Sequence, residues 1–137
     1  MKFLAFSLLL ALAFSGDDKP KRPKISVKVN PAMAISPARV VASADINGGD
    51  DLEEFYCPAV EWDWGDDTHS NNSADCDPYE AGKTEITRRF TADHVYRAAG
   101  DYRVQFRLKK KNKFVAGAST SVKIRPGLGD PGGDARY

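Results

Sequence analysis

The chain has 137 residues, and 42% of them are hydrophobic, which is enough for one domain with a buried core. Its 20 Lys and Arg nearly balance its 19 Asp and Glu, so the formal net charge is +1. A chain so close to neutrality is not expected to bind nucleic acid or an anionic membrane through its overall charge.

The charges are nevertheless distributed unevenly along the chain. Residues 40–82 contain twelve carboxylates and no Lys or Arg, whereas residues 83–137 contain thirteen basic residues and five acidic ones. Either the two halves meet in the fold and neutralise each other, or the acidic stretch binds a cation such as calcium.

Residues 1–16 have the pattern of a secretory signal peptide. Lys2 provides a basic start, the run from Phe3 to Phe14 is almost wholly apolar, and small residues around Ala13 stand at cleavage spacing. The run is shorter than the roughly 20 residues that span a bilayer, which disfavours a membrane anchor. We therefore expect a secreted or periplasmic protein with no membrane insertion after signal removal. Residues 17–24, rich in Lys and Pro, are typical of an extended linker.

Alternation of apolar and polar residues, the pattern of half-buried β-strands, follows the linker. In chain order the predicted strands are 24–29, 38–46, 60–64, 84–90, 100–108 and 114–124. Residues 52–57 are either a loop or the start of a further strand. About seven short strands and no sustained helical period predict an all-β, immunoglobulin-like antiparallel β-sandwich over residues 25–125.

Three polar segments complete the chain. The polar stretch 66–82 predicts a long loop, and residues 109–113 predict a basic hairpin turn. Residues 126–137, rich in Gly, Pro and Asp, predict a disordered tail.

The chain has two cysteines, Cys57 and Cys76. An even number in an exported chain favours a disulfide, which would close a loop of about 20 residues. A zinc site is the weaker alternative, because it would need His69 and a further ligand, and no paired ligand spacing is present.

Three motifs rich in aromatic residues and Gly follow one another in the predicted domain. They are Trp62-Asp63-Trp64-Gly65-Asp66-Asp67-Thr68, then Phe90 with His94-Val95-Tyr96, and then Gly100-Asp101-Tyr102-Arg103-Val104. In this order they resemble the signature of the PKD domain, the immunoglobulin-like module named after polycystic kidney disease protein. The resemblance implies an exported β-sandwich that binds protein or carbohydrate or acts as a spacer, and it does not imply catalysis.

The chain departs from the PKD pattern at two places. Asp67 stands where the family usually has Gly, which changes the turn and adds a carboxylate. The loop at 66–82 is longer than usual and carries Cys76.

The carboxylates of the first motif have two interpretations. Asp66 can cap the turn by accepting backbone N–H bonds, which is the favoured interpretation. Alternatively Asp63, Asp66 and Asp67 form a calcium site, because calcium requires several hard oxygen ligands at close range. Asp75 and Asp77 would join this site if the disulfide folded the loop back.

The aromatic residues of the motifs are expected to be structural. Trp62 and Trp64 share a strand face with Val60, so we expect them in the core rather than on a sugar-binding platform. His94 and Tyr96 are expected to fasten the connection before the next strand, with the Tyr hydroxyl bonded to backbone. No nucleophile motif accompanies His94, so an enzyme, such as a small hydrolase, is not expected.

The loops contain the remaining candidates for binding. Tyr56 and Tyr79 are possible aromatic platforms, and Asn71 begins a glycosylation sequon that matters only in a eukaryotic host. The turn at 109–113 is expected to lie near the acidic residues Asp50, Asp51, Glu53 and Glu54, and the two groups of charges are expected to neutralise each other in part. Alternatively, this basic run is a docking patch for acidic glycans or an acidic protein.

The sequence thus predicts a non-catalytic exported interaction module that binds a protein or glycan through loops at one end of the sandwich. A calcium-stabilised structural or spacer module is the alternative. No cofactor other than calcium is expected.

Overall fold

A computed structural model describes residue 16 and residues 19–128 of the chain. The predicted signal peptide, apart from Gly16, lies outside the described residues, as does the predicted tail from residue 129 onward. None of the helices in the described residues is long and apolar enough to cross a membrane.

Eight strands and one turn of 3-10 helix make up the regular structure of the described residues. The strands are β1 (Lys24–Asn30), β2 (Met33–Ile35), β3 (Ala38–Asn47), β4 (Ala59–Asp63), β5 (His69–Asn72), β6 (Arg89–Tyr96), β7 (Gly100–Lys110) and β8 (Lys113–Arg125). The 3-10 turn, Glu53–Phe55, lies between β3 and β4. One sheet has the order β1-β3-β6 and the other the order β2-β8-β7-β4-β5. All pairings are antiparallel except that of β2 with β8. The predicted all-β sandwich is confirmed.

The core lies between the inner faces of the two sheets, where alternate residues of each strand point inward. In β3 the inward residues run from Val40 to Ile46, and in β7 they run from Val104 to Leu108; all are at most 3% exposed. Trp62 and Trp64 are 3% and 0% exposed. The prediction that both indoles belong to the core is confirmed.

The strands differ from the prediction at three places. β5 lies inside the stretch predicted to be a loop, and β2 was not predicted at all. The strand predicted at 84–90 instead runs from Arg89 to Tyr96. The inward residues between Phe90 and the buried Tyr96 are Ala92 and His94. Neither residue type marks a buried strand face in a hydropathy pattern.

The connections gather at two ends of the sandwich. We call the end formed by residues 48–58, residues 73–88 and the turn at 111–112 the disulfide end. We call the opposite end, formed by residues 64–68 and residues 97–99, the signature end. The three motifs of the family resemblance converge on the signature end, while the acidic and basic loops meet at the disulfide end.

Candidate functional site

Trp64 and His94 form the centre of the signature end. Their rings stack with centroids 4.6 Å apart and planes 7° apart, and Trp62 lies parallel to Trp64 at 5.7 Å. The indole nitrogen of Trp64 donates to the Ser70 hydroxyl at 2.9 Å. His94 Nε2 lies 2.7 Å from Asp66 Oδ2. The first two motifs are therefore in direct contact across the two sheets.

Tyr96 attaches the second motif to the first and the third. Its hydroxyl donates to the carbonyl oxygen of Trp64 at 2.7 Å, and its ring stacks on Tyr102 at 4.3 Å. Burial, followed by the charge of Asp66, raises the pKa of Tyr96. The expected backbone bond of Tyr96 is present. His94 and Tyr96 nevertheless lie within β6 rather than in the connection after it, and they fasten that strand to β4.

The remaining motif residues support the same cluster. Phe90 contacts Phe106 with ring centroids 5.6 Å apart, and Val104 is fully buried. Gly65 has a φ of +79°, and a Cβ there would lie 2.7 Å from the Arg103 carbonyl oxygen. Gly100 lies under the ring of Tyr102. The contacts of these residues are packing contacts within the sandwich.

Two of the three aspartates of the calcium hypothesis are engaged in separate contacts, and the third is exposed. Asp63 Oδ1 accepts the Gly65 N–H at 2.9 Å, and Asp66 Oδ1 accepts the N–H and the hydroxyl of Thr68. Asp67 is exposed at a φ of +65°. The described residues contain no group of three or more His, Cys, Asp or Glu that could hold a metal ion. Calcium binding stays a prediction for which this geometry supplies no ligand cluster.

The condition under which Asp75 and Asp77 would join that site is not met. Cys57 precedes β4, whereas Asp66 follows it, so the disulfide draws Asp75 and Asp77 to the opposite end of the sandwich from Asp66.

The pKa of Asp66 is lowered by its own contacts. Burial raises this pKa, but hydrogen bonds from Thr68 and His94 outweigh burial, and the net shift is downward.

The disulfide end is held together by covalent and polar ties. Cys57 and Cys76 form the predicted disulfide, with Cα atoms 6.2 Å apart. The Tyr56 hydroxyl donates to the Asp77 carbonyl at 2.6 Å, and the Tyr79 hydroxyl donates to the Asp51 carbonyl at 2.6 Å. The two tyrosine rings contact each other at 5.6 Å. Both tyrosines, predicted as possible platforms, therefore act as tethers between loops.

The basic hairpin turn lies beside the acidic connection, as predicted. Lys110 Nζ donates to the carbonyl oxygens of Glu53 and Tyr56 and lies over the Tyr56 ring. The carboxylates of this connection pair with other cations, however: Glu54 pairs with Arg22. Asp51 pairs with Arg88 at 3.0 Å. Within the described residues, Lys111 and Lys113 form no ion pair.

A patch on the outer face of β7 and β8 was missed by the sequence analysis. Phe114 is 65% exposed and faces Lys109 across the hairpin, at an irregularity in the register. Without that irregularity, strand alternation would point Phe114 into the core and Val115 outward. The sequence predicted either a solvated turn or a docking patch for an acidic glycan or protein at the run of lysines, and it did not include the neighbouring Phe114 in either.

Glu61 of β4 borders this patch. It accepts hydrogen bonds from Lys109 and Arg107, each at 2.7 Å, and these bonds hold its pKa below the ordinary range. Asn71, the first residue of the sequon, is exposed on the neighbouring edge strand β5.

No protein-family model matches the chain, and no curated protein matches it either.

Proposed function

We propose that the protein is an exported, non-catalytic interaction module of the PKD type, which binds a protein or a glycan through the loops at the disulfide end. The PKD assignment is supported by the convergence of its motif residues. Trp64, His94, Tyr96 and Tyr102 lie in three separate strands or their ends, yet each contacts the next. Because the motif residues contact one another, their role in this proposal is to stabilise the sandwich rather than to bind a ligand.

The observation that carries the binding proposal is the mutual attachment of exposed loops. The disulfide, two Tyr hydroxyl bonds and the contact of Lys110 with the 3-10 turn join all three connections of the disulfide end. Loops fixed before a partner arrives lose less conformational entropy on binding than free loops do. Loop clusters on a rigid sandwich are also a common location for binding residues.

Export and the absence of catalysis are supported by separate features. The disulfide fits an oxidising compartment, as does the apolar N-terminal run. Both cysteines are bonded to each other, and His94 Nε2 is bonded to Asp66. The disulfide leaves neither cysteine as a free thiol nucleophile, and the His94 imidazole joins β6 to the turn after β4.

The proposal is tested by screening the purified full chain against glycan and peptide arrays, with and without calcium. Lys111→Glu reverses a charge at the disulfide end, and Arg97→Glu is the matched reversal at the signature end. We expect bound ligands to lose affinity for the first variant and to keep it for the second. Equal loss in both variants, or no ligand on either array, would overturn the proposal.

A further inference from the structure

Phe114 is a large aromatic side chain placed on the protein surface by the local backbone. The register shift between Leu108 and Lys109 leaves Val115 buried at 9% exposure and turns Phe114 outward. The Phe114 ring lies over Gly117, since a Cβ at that glycine would stand 3.2 Å from a ring carbon. Packing on glycine covers part of the ring, and 65% of the residue stays exposed.

The surroundings of the ring carry an excess of positive charge. Lys111 and Lys113 lie in the groove that Phe114 borders toward the turn, and neither forms an ion pair within the described residues. Glu53 also lines this groove, where it is outnumbered by Lys110, Lys111 and Lys113, and two other acidic neighbours are neutralised by other cations. Glu61 is shared between Arg107 and Lys109, and Glu54 is held by Arg22.

On its other side Phe114 borders a recess with hydrogen-bonding side chains. Gln105 and Ser119 face each other across β7 and β8, and both line this recess together with Arg107 and Gly117. The Gln105 amide oxygen already accepts from Arg107, so the Gln105 amide N–H groups and the Ser119 hydroxyl are the hydrogen-bonding groups beside the exposed ring. A sugar ring has matching chemistry, with an apolar C–H face and a rim of hydroxyl groups.

We infer that this surface, made by Phe114, Lys111, Lys113, Gln105 and Ser119, binds an anionic polysaccharide. Phe114 stacks on one sugar ring, Gln105 and Ser119 bond its hydroxyls, and the two lysines pair with carboxylate or sulfate groups. Charge complementarity selects the acidic polymer, because the surplus lysines would gain nothing from a neutral one. The inference rests on the proposed function, since the hairpin belongs to the disulfide end.

The test measures binding of the full chain to polygalacturonate and heparin by calorimetry, with dextran as the neutral polymer and poly-glutamate as the acidic peptide. We expect both acidic polysaccharides to bind, more tightly at low salt than at high salt. Phe114→Ala removes the stacking contact, and the double variant Lys111→Gln/Lys113→Gln removes two charge contacts; each should weaken binding roughly tenfold. Glu61→Gln should strengthen it severalfold, because it releases Arg107 and Lys109.

Matched controls separate the patch from general effects. Ile35→Ala removes an apolar side chain of similar exposure, 64% against 65% for Phe114, from a different edge of the sheet. Lys28→Gln/Lys123→Gln removes two exposed lysines elsewhere. Both control variants should bind as the unmodified chain does, and thermal unfolding of every variant checks that it is folded.

Two kinds of result overturn the inference. The inference is overturned if the chain binds poly-glutamate or dextran in place of the acidic polysaccharides. It is also overturned if Phe114→Ala and the double lysine variant leave polysaccharide binding unchanged. Both results leave the proposed function intact. Failure to bind any polymer here, together with empty glycan and peptide arrays, overturns both.

Discussion

Two adjacent carboxylates in the turn after β4 have different surroundings. Asp66 accepts hydrogen bonds from Thr68 and lies 2.7 Å from His94 Nε2. Asp67 is exposed and has left-handed backbone. The departure from the family pattern at position 67 therefore affects an exposed turn residue, while the capping and pairing contacts belong to Asp66.

Asp66→Asn should destabilise the fold by about 1–3 kcal/mol, because it removes a charge-assisted bond to His94 in a partly buried place. Asp67→Asn is the control, and it should change stability by less than about 0.5 kcal/mol, since Asn tolerates a positive φ and the site is exposed. Urea unfolding of both variants at neutral pH measures the difference. Equal effects would show that the His94 contact contributes no stability.

The contribution of Asp66 should also depend on pH. Its pKa is lowered in the folded state, so folding favours the ionised form. The stabilisation is fully present above the ordinary aspartate pKa of about 3.9, and it is lost as the pH falls through the lowered folded value. The stability gap between the unmodified chain and Asp66→Asn should therefore narrow below about pH 4. A gap that widened there would contradict the lowered pKa.

At the scale of elements, the turn from β4 to β5 is seated directly on β7. Gly65 has a φ of +79°, and a Cβ there would lie 2.7 Å from the carbonyl oxygen and 2.9 Å from the amide nitrogen of Arg103. These are backbone atoms of a central strand, which cannot move aside for a Cβ as the end of a flexible side chain can. The glycine thus permits both the left-handed turn and the close approach of the two strands.

Gly65→Ala should therefore lower the free energy of unfolding by about 3 kcal/mol, because backbone strain at a left-handed φ adds to overpacking against β7. Gly82→Ala is a matched control, because its φ is +77° and no heavy atom stands within 4 Å of its would-be Cβ. The control should lower the free energy of unfolding by about 1–2 kcal/mol, since only the backbone strain applies there. Chemical denaturation of the two variants gives the comparison, and equal losses would mean that the turn can lift from β7 freely.

The elements also differ in how well the sequence predicts them. β7 was predicted as 100–108 and runs from Gly100 to Lys110, because large apolar residues alternate with polar ones along a central strand. β5 has the sequence His-Ser-Asn-Asn, which no hydropathy pattern distinguishes from a loop. It is a strand because β4 supplies hydrogen-bonding partners along its edge.

For the whole molecule, the disulfide end depends on a cross-link between distant connections. Cys57 and Cys76 are 19 residues apart in sequence, with β4 and β5 between them. The bond attaches the start of β4 to the long connection that leads to β6. The loops that carry the proposed binding surface are thereby fixed to the sandwich.

Replacing both cysteines, as Cys57→Ser/Cys76→Ser, should lower the free energy of unfolding by about 3 kcal/mol, through the added entropy of the unfolded chain. Reduction of the unmodified protein is the control, and it should produce a similar loss. Urea unfolding under oxidising and reducing conditions measures both. A double variant as stable as the oxidised protein would show that the tyrosine tethers alone hold the loops.

The sequence alone determined the fold class, the disulfide and the placement of both indoles in the core. The fold class and the burial of the indoles depend on local patterns, namely period-two alternation and aromatic residues on the apolar face of a strand. The disulfide depends on the cysteine count of the whole chain, because two cysteines allow a single pairing. None of these predictions requires knowledge of which strands are neighbours.

Only the tertiary structure decided which carboxylates and lysines meet. Asp75 and Asp77 were grouped with Asp66 in the calcium hypothesis, but β4 separates the two groups by its full length. Phe114 reaches the surface because of a shift in the pairing of β7 with β8. Strand register and chain reversal depend on contacts between segments far apart in sequence. The residue pattern within one segment therefore does not predict them.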